Sequence, residues 1–405
     1  MNPISNKRIT LGVTGSIACY KAADLASKLT QAGALVDVIL TQSATQFITP
    51  LTFQSVTGRK AFVDADLWGD QGHVQHIGLG HATDLIVAAP LTANTMAKLA
   101  HGIADNLLTV TALAATCPLV IAPAMDGGMF SHPATQANLN TLVERGAVVV
   151  GPEAGHLASG MVGVGRMSEP TAILGVIRHT LAQGDVLEGR KIIVTAGGTQ
   201  EPIDPVRFIS NRSSGKQGYA LAQAALDLGA QVTLISTPTG LPVPAGAELV
   251  QTDSAAEMLA AVQEHTRDAD ALLMAAAVAD FRPADISAHK IKKEDTAPTL
   301  ELSRTADILL EIGKQKQATG FPRLMIGFAA ESEDLLANAQ KKLKAKQLDL
   351  IAANDISAPD AGFGVDTNRI TLLFPDGTQE PLPLIDKQEV ADAILQKVAG
   401  LLNVN

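Results

Sequence analysis

The chain has 405 residues, 46% of them hydrophobic, and 41 acidic against 31 basic side chains leave a net charge of −10. That acidity argues against a nucleic-acid groove or an anionic membrane surface as partner, and aromatics at 3% leave little to stack on single strands. The length allows two domains with full cores; no apolar run reaches the roughly 18 residues of a membrane span. Two cysteines, Cys19 and Cys117, make no disulfide framework and fit a reducing compartment, so a cytoplasmic protein is expected.

In chain order, the opening MNPISNKRITLGV lacks the long apolar run and cleavage site of a secretory leader. Residues 7–41 then read as an apolar strand, a glycine turn, an Ala/Leu-rich helix, a Gly-Ala stop at Gly33 and a second strand. Further strands are expected at 84–89 and 118–122, and a helix around 170–181. The polar stretch 183–189 reads as a boundary, giving domains 1–186 and 187–405. The second domain repeats the pattern: a strand at 191–195, a glycine turn, a long polar loop, a helix stopping at Gly229, and a strand. Strands follow at 270–276, 323–328 and 348–353, then a hairpin over 369–374 and 379–383 around a Pro-Asp-Gly turn. The expected fold class is α/β: two tandem doubly wound Rossmann-like domains with mainly parallel sheets.

In such folds ligands sit at the carboxyl ends of the strands. The first turn offers Gly15, Ser16, Ile17 and Ala18, and the loop after the second strand offers Thr41 and Ser43. A dinucleotide site wants an acid after that strand to hold the ribose, and none is there. The hydroxyls suit one phosphate and a polyol chain better, although a glycine turn alone leaves the ligand open. The second turn leads into a loop carrying Asp204, Arg207, Asn211, Arg212, Ser213, Ser214, Gly215 and Lys216. Small hydroxyls, a glycine and a lysine at a helix start are phosphate-cradling donors. Lys342 and Lys346, four apart on an expected helix, face one side.

Several long motifs occur in order. GVTGSIACYK, LTQSATQFITP, the segment from VQHIGLGH to ADNLL, and PAMDGGMF resemble the flavin-dependent cysteine decarboxylases over about residues 7–180. TAGGTQEPIDPVRFISNRSSGKQG, AAAVADFRP, KIKK, IGFAAES and KLKAKQLDLIAANDIS resemble phosphopantothenate–cysteine ligase. Together they are similar to the bacterial bifunctional enzymes of coenzyme A biosynthesis. The resemblance implies that CTP, with Mg²⁺, activates 4′-phosphopantothenate as an acyl-cytidylate, which cysteine attacks. The product is then decarboxylated with FMN to 4′-phosphopantetheine, through an ene-thiol. Two alternatives stay open: an active ligase fused to a flavoprotein half that stops at the ene-thiol or is inactive, and a non-catalytic regulatory flavoprotein.

The resemblance also implies residues. For FMN these are the first-turn residues, Thr41, Ser43 and the 89–95 loop with Ala89, Pro90, Thr92 and Asn94. His76 matches the essential histidine of the decarboxylases. For CTP they are Ser213, Ser214, Gly215, Ala276, Asp280, Lys290, Thr305, Ala306, Asp307, Ile308, Phe328, Lys342 and Lys346, with Asn211 handling the acyl-cytidylate. No metal ligands are assigned. Trimers of the flavin half and dimers of the ligase half are implied. Three positions depart from the family pattern. Asp126 stands where asparagine is usual, and must be protonated, paired with a cation or turned to another contact. Ser159 stands where the flap cysteine gives its proton, and serine is a far weaker acid, so nearby His156, or a water held by Ser159, is the expected donor. Ala306 replaces a proline.

Overall fold

Arg8–Val13 (β1) is apolar nearly throughout, as a strand covered on both faces must be, and only its first residue escapes burial. The computed structural model describes residues 2–68, 75–292, 299–331, 334–355 and 364–404. It divides into two units, 2–181 and 182–405.

In the first unit β1 is followed by α1 (Cys19–Gln31), β2 (Leu35–Leu40), α2 (Pro50–Thr57), β3 (Ala61–Val63), α3 (Gln75–Ala82) and β4 (Leu85–Leu91). Then come α4 (Ala93–His101), α5 (Leu107–Ala114), β5 (Leu119–Pro123), α6 (Gly127–Ser131), α7 (Pro133–Glu144) and β6 (Val148–Val149). The six strands form one parallel sheet in the order β3-β2-β1-β4-β5-β6. A hairpin of β7 (Glu153–His156) and β8 (Val162–Arg166) stands apart from it, and α8 (Pro170–Ala182) closes the unit. Helix α1 buries Ala22, Leu25, Ala26 and Leu29, the three-and-four spacing of one helix face. With Ile173 and Ile177 of α8 they cover one side of the sheet.

The second unit runs β9 (Lys191–Ala196), β10 (Gln200–Pro202), β11 (Phe208–Ser210), α9 (Lys216–Asp227), β12 (Gln231–Ser236), β13 (Ala247–Gln251), α10 (Ala255–His265) and β14 (Ala271–Met274). It continues with β15 (Phe281–Pro283), β16 (Leu302–Arg304), α11 (Ile308–Thr319), β17 (Leu324–Glu331), α12 (Leu335–Ala345), β18 (Leu350–Asp355), β19 (Thr367–Asn368), β20 (Ile370–Leu373), β21 (Gln379–Pro381), β22 (Ile385–Asp386) and α13 (Lys387–Val404). The main sheet has eight strands in the order β13-β12-β9-β14-β17-β18-β20-β21. Six are parallel; β20 and β21 add an antiparallel hairpin at one edge. Helices α9 and α13 pack on one face of the sheet, and α10, α11 and α12 on the other.

The expected fold class holds: α/β, two tandem units, mainly parallel sheets. Gly33 and Gly229 both follow a helix end with φ of +92° and +85°, the left-handed turn that glycine reaches without strain. The long loop after β9 is not wholly irregular. It contains the antiparallel pair β10–β11, whose short three-residue strands carry too little alternation to read from sequence. No helix among the described residues is long and apolar enough to cross a membrane.

Candidate active sites

At the carboxyl ends of β1, β2, β4 and β5 the first unit opens a cavity of about 1160 Å³. Gly15, Ser16, Ile17 and Ala18 line it, as do Thr41 and Ser43, and Thr92 and Asn94 from the turn after β4. Gly15 is fixed by close approach: a Cβ there would run into the Cβ of Ser43, so the two loops meet only because residue 15 has no side chain. Ser16 Oγ accepts from the Ala18 amide (3.2 Å), and Thr92 caps α4. Ala89 and Pro90 lie within β4 and are not among the lining residues; the Pro90 carbonyl accepts from the Thr14 hydroxyl (2.7 Å). The cavity size, the hydroxyl set and the bare backbone at Gly15 fit a flavin mononucleotide.

The hairpin β7–β8 brings His156, Leu157, Ala158, Ser159, Gly165 and Arg166 to the same cavity. Asp126 lies at the start of α6. Its Oδ1 accepts from the Gly128 amide (2.9 Å) and its Oδ2 from the Ser159 hydroxyl (2.7 Å). These bonds, the serine's first, hold its carboxyl below the ordinary carboxylate range. Of the three arrangements expected for Asp126, the structure has it turned to another contact. His76 does not line this cavity. It sits in the first turn of α3, with its Nδ1 buried and without a hydrogen-bond partner. Cys19 is buried and Cys117 half-buried, and burial pushes both thiols up.

Two cationic groups at this cavity went unassigned from sequence. Lys21, buried on α1, donates to the Met167 carbonyl (2.9 Å) and to Glu169 (3.0 Å), and Arg166 pairs with the same carboxylate. Lys21 stands inside the quoted motif GVTGSIACYK, and Arg166 directly follows the glycines at 160, 163 and 165 beyond Ser159, which was the signal available.

In the second unit the expected nucleotide residues do not share one cavity. Ser213, Ser214 and Gly215 at the start of α9 and Phe328 of β17 line a small cleft with Lys216, Asn354 and Lys387. Lys387 is buried; its ammonium is pushed down first by that burial and then by Lys216. Nothing around it in sequence marks it, since it opens the last helix outside any motif. Thr305 and Ala306 line a separate open cavity with Asp204, Arg207, Arg282 and Arg304. Asp307 caps α11 and pairs with Lys346 (2.9 Å), which lies one residue beyond the end of α12 that carries Lys342. Ile308 is buried as the first residue of α11. The Ala276 amide donates to Thr195 (3.1 Å), and the Asp280 carbonyl accepts from the Thr305 amide (3.0 Å). Lys290 is exposed. Asn211 donates both amide hydrogens, to the carbonyls of Ala277 and Val278 (3.2 Å each), so in this conformation its donors brace two loops. Among the described residues no group of three or more His, Cys, Asp or Glu side chains is placed to hold a metal.

A crevice in each of two tandem Rossmann-like units defines a two-site α/β protein. A flavoprotein family model matches residues 2–182, and a model described as the DNA/pantothenate metabolism flavoprotein C-terminal domain matches 187–402. The coenzyme A biosynthesis bifunctional protein CoaBC of Bacillus subtilis is 47% identical over 98% of each chain. The protein of that name from Mycobacterium tuberculosis is 45% identical over 97% of each, and that of Vibrio vulnificus 42% identical over 99% of this chain and all of the other. The chain belongs to this bifunctional CoaBC family of coenzyme A biosynthesis. It is accordingly a bifunctional enzyme with ligase and decarboxylase activities, the reading favoured over the two alternatives. Among solved structures, a CoaBC C-terminal domain is 41% identical, covering 55% of this chain and all of the other, with a TM-score of 0.47. A PPC decarboxylase mutant complexed with pantothenoylaminoethenethiol is 35% identical, covering 43% of this chain and 97% of the other, with a TM-score of 0.39.

Proposed function

We propose that the second unit joins cysteine to 4′-phosphopantothenate at the expense of CTP, and that the first decarboxylates the product with FMN. The observation that carries the reading is the first-unit cavity, where the expected phosphate and polyol donors Ser16, Thr41 and Ser43 and the expected flavin contacts Thr92 and Asn94 meet the flap and Asp126 in one space. The functional division falls at 186/187, inside the polar stretch between the two family matches. Bound FMN supplies the two-electron chemistry that lets an unactivated carboxylate leave. The chain's part is to hold its phosphate with Ser16, Thr41 and Ser43, to orient its ring with Thr92 and Asn94, and to exclude water with the flap. His156 lines the cavity and supplies the proton that a flap thiol would otherwise give, since the Ser159 hydroxyl is already donating to Asp126. His76, outside its own subunit's cavity, supports a decarboxylase site completed by a second copy, in keeping with trimers of this half and dimers of the ligase half. Such an assembly would work in the cytoplasm.

On the ligase side the start of α9 with Lys216 and Lys387 is a concentration of donors suited to a triphosphate. Magnesium enters with the nucleotide, held chiefly by its phosphates. Lys290 neutralises phosphate charge from its loop, and Asn211 serves the acyl-cytidylate step. Purified protein should be yellow, with a flavin spectrum before any substrate is added. Asn211→Ala should lower amide formation by about a hundredfold or more, and Lys290→Gln should raise the KM for CTP, with the flavin spectrum unchanged in both. Full pyrophosphate release in both variants would overturn the ligase assignment. A protein that stays colourless after reconstitution with FMN would overturn the flavin assignment.

A further inference from the structure

The two departures in the first unit touch each other, and their hydrogen-bond chemistry matches. A carboxylate accepts on both oxygens, whereas an asparagine offers one acceptor and one donor group. At residue 126 one oxygen is taken by the Gly128 amide (2.9 Å), so the second must face an incoming donor, and the Ser159 hydroxyl supplies it (2.7 Å). An asparagine there, its oxygen on Gly128, would turn its NH₂ toward the flap. A thiol at 159 would be a poor acceptor for it.

The rest of the flap gives this bond a mechanical meaning. At its base the hairpin is tied to the same segment by the main chain, the Met125 amide donating to the Gly165 carbonyl (2.9 Å). Between base and tip, Leu157 comes close to Gly127 and Gly163. The tip itself is a tight turn, with the Leu157 amide bonded to the Met161 carbonyl (2.8 Å) and the Gly160 amide to the Leu157 carbonyl (2.9 Å). Ser159 is exposed at that tip, and its tie reaches across 33 residues of sequence to Asp126. The bond that ties the tip to Asp126 is charge-assisted, shorter and stronger than a neutral one.

We propose that Asp126 and Ser159 act as one unit, a latch that holds the flap tip over the flavin cavity and so positions His156 beside the substrate. The proposal rests on the reading of this cavity as the decarboxylase site. Asp126 is then a positioning residue acting through Ser159, and its carboxylate is directed at the flap instead of at the substrate. A single change at either end breaks the same interaction.

The test is a double-mutant cycle on the full chain with FMN bound: Asp126→Ala, Ser159→Ala and the double variant, with Ser159→Thr as the conservative control. Amide hydrogen exchange over residues 154–165 is read by mass spectrometry. Either alanine variant should speed exchange by about threefold or more, the double variant no more than the faster single one, and Ser159→Thr should stay close to the native rate. In decarboxylation the same non-additivity should appear in kcat for 4′-phosphopantetheine. Flap exchange unchanged in Ser159→Ala, or independent multiplicative losses in kcat from the two alanine changes, would overturn the latch. The exchange readout needs no turnover. A failure of the decarboxylase reading would therefore show in the flavin spectrum and the assay while the latch is still decided.

Discussion

At Gly15 the requirement is a matter of one missing atom. The first-turn loop and the loop after β2 close on each other there, and any side chain meets Ser43. Gly15→Ala should push the two loops apart and loosen the phosphate end of the cavity. The expected outcome is a purified protein with less than half of the native flavin-to-protein ratio, read from absorbance, at a nearly native far-UV spectrum; a native ratio would show that Ser43 simply swings away. Residues of this kind were legible in the sequence, because a glycine and small hydroxyls at the end of the first strand follow from the local pattern. Asp126 and Ser159 were legible singly as misfits. Their contact was not, since nothing in a sequence says that positions so far apart share a hydrogen bond. The tie of Lys21 to Glu169 was hidden for the same reason: a lysine on an Ala/Leu-rich helix reads as solvated until its carbonyl and carboxylate partners are placed.

The loop between β9 and α9 behaves as an element in its own right because of Asp204. Its buried carboxylate accepts from the Val206 amide (2.8 Å), the Arg207 amide (2.9 Å), the Ile291 amide (3.1 Å) and the Arg207 guanidinium. The guanidinium is the largest influence, and with the amides it holds this carboxyl far below the usual carboxylate range. A folded-state value below the unfolded one means that the stabilisation is complete above the unfolded value, near 4 for aspartate, and is lost as pH falls through the folded value. Asp204→Asn should therefore melt several degrees below the native chain at pH 7, in the transition assigned to the second unit. The gap should narrow steadily below about pH 4. A gap that stays constant on acidification would remove the carboxylate from the account. The sequence showed this stretch as polar and long, and it pointed to the ligand-binding end of a strand. It did not show the antiparallel pair β10–β11 here, or β15–β16 later in the chain, since three residues per strand are too few for an alternation to show.

At the scale of the whole chain, each unit has its own buried clusters: one pair flanks the sheet led by β9, and another set flanks the sheet led by β1. Leu11 is fully buried in β1. Leu11→Ala should cost the first unit about 2–5 kcal/mol, lower its melting transition and shed flavin, while pyrophosphate release by the ligase stays within about twofold of native by the additivity of distant sites. Loss of both activities together would mean that the units unfold as one. The tandem arrangement was readable because periodicity repeats along the chain, and burial on both faces makes parallel strands conspicuously apolar. The order of those strands is where the two halves are most alike. In each, counting only the strands of the main sheet, the third, second, first, fourth, fifth and sixth lie side by side, so the topological switch point falls between the first and fourth. Two copies of one plan, each complete in its wiring, are interchangeable parts in an evolutionary sense: either can diverge toward a new chemistry without the other's consent. Joining them in a single translated chain adds what separate genes must regulate, an output of one decarboxylase for every ligase in each cell.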